Sequence, residues 1–189
     1  MRPAVFLDRD GTINEDVGHL DRLERLTLFP WAIDAVRLLN QAGFPVVVVT
    51  NQGGVSAGMV EERFVVELHD LLQRRFEVGG ATIARIYYCP HDPQATVAAY
   101  RQTCDCRKPA AGMLRQAAAD LDLDLARSYL VGDKWSDVAA ADLVGATGIL
   151  VRTGYGVTQA ARFDRPSNAL VVDDLMAATV HILEQPLSL

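Results

Sequence analysis

Short apolar runs rich in β-branched residues alternate along the chain with longer stretches whose apolar residues recur at helical spacing. The run over 46–49 is apolar on both faces, which is typical of a central strand in a parallel sheet. Repeated β-α units of this kind predict an α/β fold, a doubly wound parallel sheet with helices on both faces. We predict strands over 4–8, 45–50, 83–88, 129–132, 148–151 and 170–172.

Helices are predicted between these strands. Pro30 suits the start of the first helix, and Gly43 suits its end. Further helices are predicted over 60–77, 112–121 and 137–143, and Asp174 can cap a last helix that runs to residue 183. Two stretches lack periodicity: 15–29 is predicted to be a loop or flap, and 89–108 an excursion that something must hold in place.

Composition and charge exclude several classes of function. The 189 residues fit one domain over 1–189, and half of them are apolar, enough for a sizeable core. The longest aliphatic run is far shorter than the ~20 residues that cross a bilayer, and no signal peptide is evident. We therefore expect a cytoplasmic protein with no membrane partner. The net charge of −6 argues against nonspecific nucleic-acid binding.

Three predicted strands end in polar residues, and ligands of such sheets bind outside the carboxyl ends of the strands. The groups are Asp8 with Asp10, Thr50 with Asn51, and Asp133 with Lys134 and Asp137.

Two carboxylates two residues apart suit phosphoryl transfer. Asp8 can attack phosphorus and form an aspartyl-phosphate, while Asp10 protonates the leaving oxygen and later deprotonates water. Mg²⁺ prefers hard oxygen ligands, and Asp8, Asp133 and the backbone carbonyl of Asp10 can supply them. An Asp-x-Asp-Gly turn alone can also be an ordinary surface loop.

Other residues can offset the negative charge of a phosphoryl group. Thr50 can donate through its hydroxyl and Asn51 through its backbone or amide. Lys108 or Lys134 can supply the compensating cation.

All three cysteines and one histidine cluster in the excursion, as Cys89, His91, Cys104 and Cys106. Three thiolates and one imidazole make a closed tetrahedral site, so we predict a structural zinc that staples a loop over about 88–109. The alternative is three ordinary buried cysteines and a loop histidine. Arg107 and Lys108 follow directly, so the staple would hold a cationic pair near the site.

The remaining candidates are weaker. His69 is predicted to be a partly exposed structural residue on a helix. Trp135 can pack against the fold or line a pocket. Residues 155–189 carry a pattern that completes the fold and no chemistry that we can assign.

These motifs resemble the haloacid dehalogenase-like (HAD) phosphatases. The matching residues are Asp8-Arg9-Asp10-Gly11-Thr12, Thr50-Asn51-Gln52, Lys108-Pro109 and Gly132-Asp133-Lys134 with Asp137. The resemblance implies a Rossmann-like HAD fold, with Asp8 as nucleophile, Asp10 as acid/base, and Asp8, Asp10 and Asp133 as Mg²⁺ ligands. It also implies that Thr50 and Lys108 stabilise the phosphoryl group.

Tyr-Tyr-Cys-Pro-His at 87–91 and Cys-Asp-Cys-Arg-Lys-Pro at 104–109 resemble the heptose bisphosphate phosphatase subgroup. This implies a cytoplasmic monomer with structural zinc, no large cap domain and a phosphorylated sugar substrate. The pathway it implies is nucleotide-activated heptose synthesis, commonly for lipopolysaccharide. By this likeness the substrate-binding residues are Asp16, Val17, Gly18, His19, Asn51, Gln52, Gly53, Arg107 and Lys134.

Two alternatives stay open. Histidinol-phosphate phosphatases share these motifs and a similar zinc loop. A receiver-like signalling module also places Asp, Thr and Lys at strand ends, but it has no acid/base partner such as Asp10 and no reason for a zinc staple.

Overall fold

The computed structural model describes residues 1–162 and 169–185. Within them, six parallel strands form one sheet in the order β3-β2-β1-β4-β5-β6, which confirms the doubly wound α/β prediction. The strands are β1 (Val5–Leu7), β2 (Val46–Asn51), β3 (Ile83–Cys89), β4 (Tyr129–Gly132), β5 (Thr147–Val151) and β6 (Leu170–Val172).

The helices are α1 (Ala32–Gln41), α2 (Gly53–Ser56), α3 (Glu62–Val78), α4 (Gly112–Leu121), α5 (Trp135–Asp142), α6 (Gly156–Ala160) and α7 (Leu175–Glu184). The Asp174 carboxylate accepts a hydrogen bond from the backbone N–H of Ala177, so this predicted cap is present. The short helices α2 and α6 were not predicted, because each begins with glycine and is too short to show a helical period. The segments that join β1 to α1 and β3 to α4 contain only single-turn 3-10 helices.

The sheet is covered on both faces. Along β1, Val5 and Leu7 pack with α1, α3 and α7 on one face, whereas Phe6 packs with α4 and α5 on the other. Successive side chains of a strand point to opposite faces, so a strand buried on both sides must be apolar throughout. Among residues 1–162 and 169–185, no helix has the length and apolar character needed to cross a membrane.

The register of the central strands aligns their carboxyl ends. Leu7 lies opposite Val48 on one side and Val131 on the other. The backbone N–H of Asp8 then donates to the carbonyl of Val131 at 2.9 Å, which extends the ladder by one residue. Successive strands run outward from β1 on one side and from β4 on the other, and such a switch point opens a crevice at the carboxyl edge.

Candidate active site

Asp8 is buried at the carboxyl end of β1 and is paired with Lys108. The Lys108 Nζ atom lies 2.8 Å from Asp8 Oδ1, 2.6 Å from Asp137 Oδ1 and 2.7 Å from the carbonyl oxygen of Val49. Burial alone lowers the pKa of Lys108, but the two carboxylates outweigh burial and raise it. Lys108 is therefore a fixed cation beside Asp8, as the motif predicts.

Asp133 is fully buried next to this pair. Its Oδ2 accepts a hydrogen bond from the backbone N–H of Tyr155 at 2.8 Å. Its Oδ1 has no hydrogen-bond partner in the part of the chain that the structure describes, although Lys134 Nζ lies 3.2 Å away. Burial and the nearby charge of Asp8 raise the pKa of Asp133 to about 7. A further cation would relieve this repulsion.

The donor set fits a magnesium ion. Carboxylate oxygens of Asp8, Asp133 and Asp137 lie within 4.8 Å of one another, and all three residues are buried. Hard oxygen ligands of this kind suit Mg²⁺. The Asp10 carboxylate is outside this group, so a contribution of Asp10 through its backbone carbonyl stays a prediction.

Two glycines close around Asp133. Gly11 has a φ of +84° and Gly154 a φ of +56°. A Cβ atom on either residue would lie 2.3 Å from Asp133 Oδ2. Both positions therefore require glycine, for the backbone conformation and for the space.

The Asp10 carboxylate is held by donors on both oxygens. Arg9 Nε donates to Oδ1 at 3.1 Å and Arg9 Nη2 donates to Oδ2 at 2.6 Å. Asn14 donates to Oδ1 at 3.0 Å and Gln52 to Oδ2 at 3.1 Å. Burial alone raises the pKa of Asp10, but the Arg9 charge and these hydrogen bonds together hold it below its usual value.

His69 is buried, which corrects the prediction that it is partly exposed. It is 5% exposed, and its Nε2 lies 3.0 Å from Arg9 Nη1. Because arginine only donates, Nε2 is the acceptor. Burial and the Arg9 charge lower the pKa of His69 to about 3, so the ring is neutral near pH 7. Sequence reasoning missed the contact because 60 residues separate the pair.

A cavity of about 450 Å³ opens over the carboxylates of Asp8, Asp10 and Asp137. All predicted catalytic and substrate-binding residues line it except Val17, whose side chain packs against the core instead. Gln52 turns inward, because its amide also donates to Thr50 Oγ1 at 2.9 Å and accepts from Arg9 Nη2 at 3.1 Å. Trp135 is not in the lining, and its Nε1 donates to the carbonyl of Gln159.

Tyr155 is a lining residue that the sequence prediction missed. Lys134 Nζ lies 4.6 Å from the centre of the Tyr155 ring and 3.5 Å from Asp16 Oδ2. Burial alone lowers the pKa of Lys134, but nearby carboxylates, chiefly Asp133, raise it above its usual value. The only sequence signal for Tyr155 is an aromatic residue between two glycines just after a predicted strand.

The cysteine and histidine cluster forms as predicted. Cys89, Cys104 and Cys106 form no disulfide, and their sulfur atoms with a ring nitrogen of His91 lie within 4.8 Å of one another. The nearest histidine nitrogen is Nδ1, 3.4 Å from the Cys106 sulfur. Four donors in this arrangement fit one tetrahedral zinc ion.

Because β3 extends to Cys89, the loop begins at residue 90, and it is tied to the site at its end. Arg107 donates to the carbonyl of His91 at 3.0 Å and pairs with Asp92 at 2.8 Å. The Asn51 side chain donates to the carbonyl of Lys108 at 3.0 Å and accepts from its N–H at 3.1 Å. The end of β2 therefore fixes the backbone that carries Lys108.

A second tie holds the loop to α3. The two oxygens of the Glu62 carboxylate accept hydrogen bonds from the hydroxyls of Tyr88, at 3.0 Å, and Tyr100, at 2.9 Å. Tyr88 belongs to β3 and Tyr100 to the loop, so Glu62 joins the two.

Several known proteins of similar sequence and structure are named as phosphatases. A family model described as HAD-hydrolase-like matches residues 105–178. The D-glycero-beta-D-manno-heptose-1,7-bisphosphate 7-phosphatase of Yersinia pestis is 44% identical over 157 residues, 82% of this chain and 84% of that protein. The enzyme of the same name from Escherichia coli (strain K12) is 44% identical over 160 residues, 84% of each chain.

A solved structure agrees with these relatives. The D,D-heptose 1,7-bisphosphate phosphatase of B. bronchiseptica, complexed with magnesium and phosphate, superposes with a TM-score of 0.86 at 33% sequence identity. The match covers 97% of this chain and 98% of that one.

Proposed function

This chain belongs to the HAD-like phosphatases, in the family of the D-glycero-beta-D-manno-heptose-1,7-bisphosphate 7-phosphatases, and we propose that it hydrolyses the C7 phosphate of that sugar. The observation that carries the proposal is the pairing of Asp8 with Lys108 on the floor of a cavity that also holds Asp10. A nucleophile, a cation and an acid/base group then face one phosphate. We propose that this reaction is a step in the synthesis of nucleotide-activated heptose.

In the first half-reaction, a carboxylate oxygen of Asp8 attacks phosphorus. The bond between phosphorus and the C7 oxygen breaks, and that oxygen takes a proton from Asp10 as the sugar leaves. The resting Asp10 carboxyl has a lowered pKa. The negative charge of an incoming phosphate favours the protonated form, so the substrate itself promotes proton uptake.

In the second half-reaction, water attacks the phosphorus of the aspartyl-phosphate. Asp10 takes one proton from this water, the bond between phosphorus and Asp8 breaks, and inorganic phosphate leaves. The Asp8 carboxylate is regenerated. A receiver-like module needs no such base, so the placement of Asp10 beside Asp8 supports a turnover enzyme.

Fixed cations and donors stabilise the charge that develops on the phosphoryl oxygens. Lys108 is already charged and buried beside Asp8. The Thr50 hydroxyl accepts from Gln52, so its own hydrogen is available to the phosphoryl group. Arg107 and Lys134 line the cavity and suit the rest of the sugar bisphosphate, including its second phosphate.

We propose that Asp8 and Asp133, with the carbonyl of Asp10, hold Mg²⁺, which supplies positive charge to the phosphoryl group. The buried Oδ1 of Asp133, which lacks a hydrogen-bond partner in the described ranges, supports this. We propose structural zinc for Cys89, His91, Cys104 and Cys106, since four protein donors leave no position for a substrate.

Phosphate release from D-glycero-D-manno-heptose 1,7-bisphosphate in the presence of Mg²⁺ tests the function. We expect heptose 1-phosphate as product, preference for the β anomer named in the relatives, and no turnover by Asp8→Asn or Asp10→Asn. Histidinol phosphate is the comparison substrate. Faster turnover of histidinol phosphate would show that this ester, and not the heptose bisphosphate, is the preferred substrate. No turnover of any ester would favour a signalling module.

We propose a single domain over 1–189 that works as a monomer. We place it in the cytoplasm, where free cysteines persist. Analytical ultracentrifugation tests the monomer.

A further inference from the structure

Arg9 is among the largest fully buried side chains of the protein, with 1% exposure. Burying a guanidinium group is costly unless its charge and donors are satisfied. Arg9 is not in the lining of the cavity, so it does not offer its charge to a substrate directly. Its contacts lie instead with Asp10, Gln52 and His69.

The contact with Asp10 is bidentate. Two parallel hydrogen bonds, of 3.1 and 2.6 Å, join Nε and Nη2 of Arg9 to the two oxygens of Asp10. Such a fork fixes the plane of a carboxylate as well as its position. Asn14 and Gln52 complete the contacts, so Asp10 is oriented by the protein before any substrate arrives.

His69 contacts the third nitrogen of the Arg9 guanidinium group, Nη1. Its Nε2 accepts from Arg9 Nη1, a donor that Asp10 does not use. The Tyr88 ring packs against the His69 ring with centres 5.4 Å apart, and the Tyr88 hydroxyl is fixed by Glu62. The imidazole therefore has little freedom to turn away from Arg9.

We propose that Arg9 and His69 are a positioning pair that holds the Asp10 carboxylate in line with the phosphoryl group on Asp8. Neither residue touches the substrate, and both act through Asp10. The inference rests on the proposed function, because it assigns the groups that orient the acid/base of that reaction. A misplaced carboxylate loses much of its benefit in proton transfer, since transfer requires hydrogen-bond distance to the reacting oxygen.

Asp10 acts twice, and the two actions can be separated with p-nitrophenyl phosphate. Its phenolate is a good leaving group and departs without a proton from Asp10. Hydrolysis of the aspartyl-phosphate still needs Asp10 to take a proton from water. Loss of the positioning pair should therefore slow the second half-reaction with this ester and leave the first nearly unchanged.

Three variants test the positioning pair. Arg9→Met and His69→Leu remove its contacts, and His69→Gln is the conservative variant. For the heptose bisphosphate we expect kcat to fall roughly a hundredfold in Arg9→Met and about tenfold in His69→Leu, with KM within about twofold. His69→Gln keeps an acceptor for Arg9 and should retain kcat within about threefold. With p-nitrophenyl phosphate, the ratio of the initial burst to the steady-state rate should rise in Arg9→Met and His69→Leu.

The matched control is Arg85→Met, which breaks an Arg–Asp pair on the surface of β3 and should leave both rates unchanged. If Arg9→Met does not fold, the two His69 variants decide the matter. Equal kcat in His69→Leu and wild type would overturn the inference, and so would a loss that His69→Gln shares. Wild-type protein that hydrolyses neither ester would instead contradict the proposed function.

Discussion

Asp8 and Asp133 directly follow hydrogen-bonded strands, whereas Arg107 and Lys108 follow a long segment in which the structure shows a single 3-10 turn. The first two, with Asp10, form the sheet-borne part of the site, and the second two form the loop-borne part. The ladder of β1 and β4 places the carboxylates. The Asn51 bonds hold the backbone of Lys108, and we propose that the cysteine and histidine cluster, through its zinc, holds the pair of cations.

The two parts differ in what holds them. Strand register is set by many backbone hydrogen bonds and a buried core, so no single side chain decides it. The loop depends on a few side-chain contacts, each of which can be removed alone. The carboxylates that we propose as cation ligands are thus on the rigid part, and the cations that we propose to contact the substrate are on the part that depends on those few contacts.

Lys108 is where the two parts meet, so its loss should have the largest effect. In Lys108→Met, Asp8 and Asp137 lose their buried cation and the phosphoryl group loses a fixed charge. We expect kcat to fall roughly a thousandfold, about 4 kcal/mol of transition-state stabilisation. Steady-state kinetics with the heptose bisphosphate measure this. The control Lys134→Met should mainly raise KM, and a loss below tenfold in Lys108→Met would contradict the assignment.

Acid should lower the free energy of unfolding through His69, which lies on α3 and contacts Arg9 beside the sheet-borne part. The pKa of His69 is lowered to about 3 in the folded protein, against about 6.5 when unfolded. The unfolded chain therefore takes up a proton first as the pH falls. Stability is lost between these values, by about 3 kcal/mol at pH 4. Urea unfolding at pH 7 and pH 4 should show this excess loss in wild type relative to His69→Gln, and equal pH dependence would contradict it.

Removing the staple should damage the loop-borne part alone. In Cys104→Ser with Cys106→Ser, we expect loss of about one equivalent of zinc and a roughly hundredfold lower kcat, since Arg107 and Lys108 lose their support. Metal analysis and kinetics measure both. Magnesium binding, followed by calorimetry, should persist because Asp8 and Asp133 are sheet-borne. Unchanged zinc content and kcat would exclude the staple.

The variant Gly11→Ala tests how tightly the sheet-borne part is packed around Asp133. An alanine there must adopt a φ of +84° and places its Cβ 2.3 Å from Asp133 Oδ2. We expect the free energy of unfolding to fall by about 2 kcal/mol and magnesium to bind more weakly. Gly18→Ala is the matched control, because Gly18 has a φ of +82° and no atom within 4 Å of an added Cβ. Equal losses in both would show that only backbone strain matters.

Local sequence patterns predict the sheet-borne part well. The apolar runs located the strands, and carboxylates at their ends predicted where Asp8, Asp10 and Asp133 meet, because register carries strand ends to one edge. The loop cluster was predictable from its residue types alone. Each of these motifs can be read within a short stretch of the sequence, without knowledge of the tertiary fold.

Contacts that depend on tertiary packing were missed. The partner of Arg9 lies on α3, and nothing in the helical spacing of His69 indicates it. Tyr155 holds Asp133 through a backbone N–H, which any residue but proline offers, so the residue type does not indicate this contact. The sequence contains one indication of this network: Arg9 is a charged residue that stands between Asp8 and Asp10, just after an apolar strand.

The smallest expected effect compares a strand with the loop directly. Tyr88 of β3 and Tyr100 of the loop donate to the same Glu62 carboxylate, so the same hydroxyl can be removed from either one. Tyr100→Phe removes a hydroxyl from the loop and should favour its local opening by about 1 kcal/mol, roughly a fivefold rise in its opening equilibrium. Tyr88→Phe removes the matching hydroxyl from β3, whose ladder holds the strand in place. Hydrogen exchange over 92–103 should therefore quicken in Tyr100→Phe and stay at the wild-type rate in Tyr88→Phe. Equal acceleration in both variants would mean that Glu62 holds strand and loop as one unit, and the two parts of the site would then not be independent.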